Sequence, residues 1–98
     1  MTLEGITTKV REASASAPNL GKSIKLVLDE GCVFIDLTQD ETQVTNEDKD
    51  ADTVVITSIA TLEGMRDGSV NPMMAMMSGK LKIKGDMGLA MKLQSLLG

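Results

Sequence analysis

Hydrophobic and polar positions alternate with a period of two residues through the middle of the chain. The segments SIKLVLD (residues 23–29) and CVFIDLT (residues 32–38) place Ile, Leu or Val at every second position. Such alternation is typical of half-buried strands, and the Asp-Glu-Gly turn between the segments indicates a β-hairpin. ETQVTNE predicts a weaker third strand, TVVITS a strong β-branched fourth strand and KLKIKG a fifth.

Helical spacing brackets these strands. Leu3, Ile6, Val10 and Ala13 recur at three- and four-residue steps at the start of the chain. Side chains that cap helices precede each of the predicted helices. These caps are Thr2, Ser58, Asn71 and Asp86.

The predicted order is one helix, four strands mostly joined by hairpins, two short helices, a strand and a last helix. A run of strands followed by helices favours an α+β fold, with one sheet and helices packed on one face. A chain of 98 residues has the usual size of a domain. We therefore expect residues 1–98 to form a single domain.

Charge and composition narrow the classes of function. The formal net charge is −4, which argues against nucleic-acid binding because phosphate contacts need clustered Lys and Arg. The lone Cys32 cannot form an intramolecular disulfide, the first twelve residues lack the apolar run of a signal peptide, and no segment has the roughly 20 apolar residues of a membrane span. We expect a cytoplasmic location.

The residues that enzymes most often use are scarce. The chain has no His, and Cys32 is interpreted as a small buried filler within a strand in preference to a nucleophile. The segment DKDAD resembles the start of a calcium loop, but Thr53 stands where that loop has glycine and Ile59 where it has its final Glu. We interpret DKDAD as a solvated hairpin turn, and we expect no enzymatic activity, no metal and no cofactor.

Lys80, Lys82 and Lys84 form the chain's one basic cluster. Since Leu81 and Ile83 would point inward, the lysines would form the wet exterior of an edge strand and guard it against aggregation. The alternative is transient contact with a membrane surface through anionic lipid head groups.

Methionine is concentrated near the end of the chain, where six of the eight methionines lie between Met73 and Met91. Methionine fills irregular core gaps and also lines surfaces that accept varied partners, so both core filler and a flexible apolar site remain open. At about 100° per residue, the last helix has two adjoining apolar faces, and Gln94 lies on the second face beside Met87 and Met91. A subunit, a ligand or a neighbouring helix could cover that second face.

The segment SGKLKIKGDMGLAMKLQSLL (residues 78–97) closely resembles the C-terminal signature of the sterol carrier protein family, the type-two lipid-binding domain. NEDKDADTVVITS and GSVNPMMAMMSGKLKI extend the resemblance to roughly residues 20–97. It implies an α+β fold, with helices over one face of a mixed five-stranded sheet. It also implies a hydrophobic tunnel that binds fatty acyl chains, sterols or phospholipids without chemistry.

The resemblance also implies a set of ligand-binding residues along the tunnel. Where many relatives have phenylalanines before Ser-Gly-Lys, this chain has Met76 and Met77, which speaks against a rigid sterol-shaped pocket. The final Leu-Leu-Gly differs from a peroxisomal tripeptide, so we expect a freestanding, prokaryotic-type member. The expected ligand-binding residues are Phe34, Met65, Met73, Met76, Met77, Met87, Met91, Gln94 and Leu97.

The leading hypothesis is noncatalytic binding of a lipid (a fatty acid, a phospholipid or a sterol), with transfer between membranes left open. On this hypothesis Met77→Lys or Met91→Lys abolishes acyl binding. The alternative is a protein-interaction or homodimerisation module that uses the apolar face of the last helix, although a monomer is favoured over a dimer. A small lipid-thioester enzyme is a third hypothesis, which no nucleophile or base motif supports.

Overall fold

The computed structural model of the chain describes residues 2–15, 21–39 and 41–97, and of residues 94–97 it describes the backbone alone. The elements follow the predicted order, and the fold is α+β. Their bounds are α1 Leu3–Ser14, β1 Ser23–Leu28, β2 Gly31–Asp36, β3 Gln43–Thr45, β4 Thr53–Thr57, α2 Ile59–Asp67, α3 Pro72–Met77, β5 Leu81–Lys84 and α4 Met87–Leu97.

The helices begin at the predicted caps. The Thr2 side chain accepts a hydrogen bond from the Gly5 N–H, and the Ser58 side chain accepts one from the Thr61 N–H. Asn71 caps α3 through the Met73 N–H, and Pro72 follows in the first turn, where a missing N–H costs nothing. Each cap satisfies an N–H group that the first turn of a helix leaves without a partner.

The five strands form one mixed sheet in the order β3-β2-β1-β4-β5. β1 and β4 are parallel neighbours, and every other pair in the described sheet is antiparallel. β3 lies at one edge of the sheet, whereas β4 lies beside β1 in its interior. The prediction of a hairpin turn at DKDAD is therefore wrong, because residues 46–52 are a crossover that connects an edge strand to an interior strand.

The crossover runs over the face of the sheet that carries no helix, which we call the outer face. The Asp48 carboxylate lies 2.8 Å from the Lys25 Nζ, and the Lys49 ammonium lies 5.8 Å from the centre of the Phe34 ring. The half-buried Cys32 thiol faces the backbone carbonyls of the same segment. The charged residues of DKDAD are therefore compatible with a segment that crosses the face of a sheet as well as with a turn.

The core lies between the opposite, inner face of the sheet and the helices. Ile24 and Leu26 of β1 are fully buried, as are their β2 partners Ile35 and Val33. α1 packs against β2, β3 and α4, and α4 packs against β1, β4 and β5. Within the described residues, no helix has the length and the apolar character needed to cross a bilayer.

Candidate functional site

An apolar cleft opens between the inner face of the sheet and helices α2, α3 and α4. Its volume is about 140 Å³. Strands β1, β4 and β5 form its floor, and each of the three helices contributes side chains to its walls. The lining residues are Leu26, Val55, Thr57, Leu62, Met65, Arg66, Pro72, Met76, Leu81, Ile83, Ala90, Met91 and Leu93.

The floor follows from strand register. Val55 is the neighbour of Leu26 in β1 on one side and of Ile83 in β5 on the other, so three apolar side chains form a row across the sheet. Leu81 lies opposite Thr57 in the next inward row. The Thr57 hydroxyl donates a hydrogen bond to the Lys80 carbonyl at 2.9 Å, so its proton is already engaged in the fold. The floor is apolar because the polar residues of β5 point to the outer face.

Asp86 fixes the wall that α4 forms. Its Oδ1 accepts hydrogen bonds from the N–H groups of Gly88 at 2.8 Å and Leu89 at 3.3 Å, and its own N–H donates to the buried Thr53 Oγ1 at 3.0 Å. The bond from the Leu89 N–H, the ammonium of Lys22 and the bond from the Gly88 N–H hold the pKa of the Asp86 carboxyl below its usual value. The start of α4 is thereby joined to the first residue of β4.

The joint between β5 and α4 also depends on Gly85, whose φ is +109°. A Cβ at this position would lie 2.5 Å from the backbone oxygen of Asp52 and 3.1 Å from the Thr53 Cα. Only glycine allows such a close approach of two backbones together with a positive φ. Gly85 therefore allows the turn between β5 and α4 to lie directly against the backbone at the start of β4.

Three of the predicted ligand-binding residues meet at the cleft. Met65 comes from α2, Met76 from α3 and Met91 from α4. Met65 and Met76 are partly buried against the core, whereas Met91 is 53% exposed at the mouth of the cleft. Flexible side chains from three separate helices thus surround one apolar space.

The structure places other predicted residues away from this space. Phe34 lies on the outer face of the sheet, because it pairs with Lys25 and Thr45 and alternates with the inward Val33 and Ile35. The lysine that covers its ring belongs to the crossover. Phe34 therefore has the whole sheet between it and the cleft.

Met73 and Met77 are 70% and 82% exposed and are not among the residues that line the cleft. Met87, which is 47% exposed, lies one turn before Met91 and is also outside the lining. The side chains of Gln94 and Leu97 lie outside the described residues. The predicted set is thus divided: one part lines the cleft and another part is exposed around it.

Arg66 lines the cleft and was not predicted from the sequence. It follows Leu62 by four residues and Met65 by one, and all three residues line the wall that α2 forms. Residues four apart share a face of a helix, so the spacing of Leu62 and Arg66 is the signal that could have placed this guanidinium. No hydrophobic pattern marks it, because Arg is usually assigned to the solvated face.

The volume of the cleft differs from that of a ready-made lipid site. Small-molecule pockets usually measure roughly 300–1,000 Å³, whereas about 140 Å³ is close to the roughly 150 Å³ of an engineered apolar cavity that binds benzene. An empty apolar space destabilises a fold in proportion to its volume, which favours partial collapse of flexible side chains into it. Methionines in the wall provide that flexibility.

The lysine cluster faces away from the cleft. Lys82 and Lys84 pair with Ile56 and Val54 on the outer face of edge strand β5, while Leu81 is buried beneath the helices. This geometry fits the predicted wet exterior of an edge strand. Among the described residues, no cluster of three His, Cys, Asp or Glu side chains could hold a metal ion.

Comparison with known proteins identifies a family that matches most of the chain and relatives that match part of it. The model of the SCP-2 sterol transfer family matches residues 4–98. The chain is 46% identical over 67 residues to hydroxysteroid dehydrogenase-like protein 2 of Xenopus laevis, which covers 66% of this chain and 16% of the frog protein. It is 49% identical over 51 residues to sterol carrier protein 2 of Bos taurus, covering 52% of this chain and 9% of the bovine protein. The chain therefore spans less than a fifth of the length of these two relatives.

A solved structure shows the same fold. The solution structure of the sterol carrier protein domain 2 of Helicoverpa armigera superposes with a TM-score of 0.70 over 93% of this chain and 81% of that one. Its sequence identity to this chain is 24%, so the comparison concerns the arrangement of helices and strands. The mixed sheet with helices on one face is the fold that the sequence resemblance implied.

Proposed function

Since this chain belongs to the SCP-2 sterol transfer family, we propose that its cleft binds the acyl chain of a lipid and leaves it chemically unchanged. The observation that carries this proposal is the meeting of Met65, Met76 and Met91, from three helices, over an apolar strand floor. An acyl chain needs apolar walls along its length and few polar groups. The residues of the described cleft meet that requirement.

The methionine walls favour a flexible chain over a rigid ring system. At about 140 Å³ the cleft is too small for a long chain or a sterol until its walls move apart. Methionine has three soft torsions, so its side chains can turn outward at low cost and follow the shape of the ligand. Fatty acids and phospholipid tails are accordingly the proposed ligands, with sterols a poorer fit.

Binding without catalysis is also part of the proposal. The name of the frog relative refers to a dehydrogenase, but this chain covers 16% of that protein. The described cleft is lined by aliphatic and thioether side chains, with Thr57 and Arg66 as its polar members. Neither is arranged as a nucleophile with a neighbouring base, so binding is the function that this geometry supports best.

Lipid exchange requires an encounter with a membrane, and the proposal includes a transient membrane contact through Lys80, Lys82 and Lys84. It also includes a cytoplasmic location for the protein. These lysines are exposed, and anionic head groups attract such clusters. Co-sedimentation with anionic vesicles should therefore weaken as ionic strength rises, and binding that is insensitive to salt would count against this contact.

The homodimer alternative rests on the half-exposed Met87 and Met91 of α4. We favour a monomer, because Leu89, Ala90 and Leu93 of the same helix are already buried in the core. Sedimentation at micromolar concentration separates a monomer from a dimer. A dimer formed through α4 would cover the mouth of the cleft.

Native mass spectrometry of gently purified protein tests lipid binding directly. We expect adducts with the mass of a fatty acid or phospholipid, and we expect delipidated protein to take up a fluorescent fatty acid in a one-to-one ratio. A protein that carries no adduct and binds no fluorescent fatty acid would overturn the proposed function.

A further inference from the structure

Arg66 carries the one formal charge among the described residues that line the cleft. It lies in the last turn of α2, four residues after the buried Leu62, and its side chain is exposed. An arginine can lay its methylene stem along an apolar wall while its guanidinium stays in water. Arg66 therefore places up to five N–H donors at the mouth of an otherwise apolar space.

Within the described residues, the Arg66 guanidinium takes part in no ion pair or hydrogen bond. In the described part of the chain the ion pairs are made by Lys22, Lys25 and Lys49, and no carboxylate or carbonyl there accepts a hydrogen bond from Arg66. Arg11, by contrast, donates to the Val44 carbonyl at 2.9 Å and fastens α1 to edge strand β3. Arg11 is thus held by a hydrogen bond within the fold, whereas Arg66 can bind a ligand at the cleft.

The end of α2 is capped by groups other than the Arg66 side chain. Gly68 takes up the left-handed conformation there, and the Val70 N–H donates to the Gly64 carbonyl at 2.9 Å. These features satisfy the end of a helix, the usual structural reason for a cation in the last turn. A cation is favourable in this turn, but the turn does not require it to lie on the side of the cleft.

Thr57, the other polar residue of the described lining, cannot replace Arg66. The Thr57 hydroxyl donates a hydrogen bond to the Lys80 carbonyl and lies on the floor. No acidic side chain belongs to the described lining, so an anion that enters the cleft meets no carboxylate there. An amphiphile whose tail lies on Val55 and Leu81 would leave its head group at the mouth, within the region that Arg66 occupies.

We propose that Arg66 binds the anionic head group of the ligand, so that the cleft selects fatty acids or alkyl phosphates over neutral amphiphiles of the same chain length. A guanidinium donates two parallel hydrogen bonds to the two oxygens of a carboxylate or a phosphate, whereas a hydroxyl has a single oxygen and no negative charge. This inference rests on the proposed function, because it assigns the polar end of the same ligand. It also places a neutral sterol among the weaker ligands.

Affinities for a fatty acid, an alkyl phosphate and a fatty alcohol of one chain length test the inference. At about pH 8 the carboxylate is ionised, and the wild-type chain should bind the acid and the phosphate about tenfold more tightly than the alcohol. Arg66→Gln should remove this preference, because it should weaken binding of the acid and the phosphate about tenfold more than it weakens binding of the alcohol. Arg66→Lys keeps the charge but loses the fork, and it should restore part of the preference.

Lys82→Gln is the matched control, because it removes the same charge from the outer face of the sheet. It should leave the preference for anionic ligands intact. Equal binding of acid and alcohol by wild type, or equal loss of preference in both variants, would overturn the role of Arg66 and leave lipid binding standing. Failure of every ligand to bind would overturn the proposed function instead.

Discussion

Met76→Glu is expected to lower the affinity for a fatty acid by about a hundredfold, whereas Met77→Glu should change it by less than about twofold. The two residues are adjacent in α3, but Met76 lines the cleft and Met77 is 82% exposed. Glutamate has the same number of side-chain torsions as methionine, so the change is mainly one of charge. At residue 76 that charge must be desolvated, or must block the cleft, before an acyl chain can bind.

The pair also tests an expectation from the sequence, which assigned the loss of acyl binding to Met77→Lys or Met91→Lys. The affinity of the uncharged variant Met76→Gln for a fatty acid should lie between those of wild type and Met76→Glu. Fluorescent fatty-acid titration gives the affinities, and circular dichroism checks that each variant is folded. Equal losses at residues 76 and 77 would move the site from the described cleft to the exposed side of α3.

Gly85→Ala is expected to lower the free energy of unfolding by about 3 kcal/mol, against about 1 kcal/mol for Gly79→Ala. Both glycines have positive φ, at +109° and +79°, so both substitutions strain the backbone. Only at Gly85 would the new Cβ meet backbone, 2.5 Å from the Asp52 oxygen, whereas nothing lies within 4 Å at Gly79. The difference between the variants isolates the close approach that positions α4.

Thermal denaturation measures this difference. In a domain of this size about 1 kcal/mol corresponds to roughly 4–8 °C, so the melting temperature of Gly85→Ala should fall below that of Gly79→Ala by about 8–16 °C. Melting temperatures within about 3 °C of each other would show that the joint between β5 and α4 tolerates a side chain. The account of how this joint is held against the start of β4 would then be wrong.

Local patterns predicted the elements because their causes are local. Thr2, Ser58, Asn71 and Asp86 each cap the helix expected after them, since a cap acts within one turn. Period-two alternation located the strands for the same reason. The crossover at residues 46–52 was misread because the partner of β4 is β1, about thirty residues away, and turn chemistry contains no information about such a pairing.

The site was harder to predict than the fold because burial around α3 depends on packing. Four of its six residues are methionines, and a helical wheel shows that they point in several directions without showing which direction β5 covers. Only Met76 of these four lines the cleft. Phe34 was a different case, since its alternation with Val33 and Ile35 already places it on the other face of the sheet.

Arg66 shows what hydrophobic periodicity cannot find. A periodic pattern of apolar residues indicates which face of a helix is buried. A single cation at the mouth of a cleft cannot be distinguished in the sequence from any other solvated residue of the helix. Its meaning depends on the floor beneath it, to which β4 and β5 contribute from residues 53–57 and 81–84. The role proposed for Arg66 therefore depends on residues that are distant in the sequence and close in the fold.

The central claim is that a lipid chain enters the cleft among Met65, Met76 and Met91, and methionine-methyl NMR tests it most directly. Protein labelled with ¹³C at the methionine methyl groups would be titrated with a fatty acid. We predict that the signals of these three residues shift and saturate together at one equivalent, while those of Met73, Met74 and Met77, all largely exposed, stay near their free positions. Shifts confined to the exposed methionines, with the three cleft signals unchanged at saturation, would contradict the account.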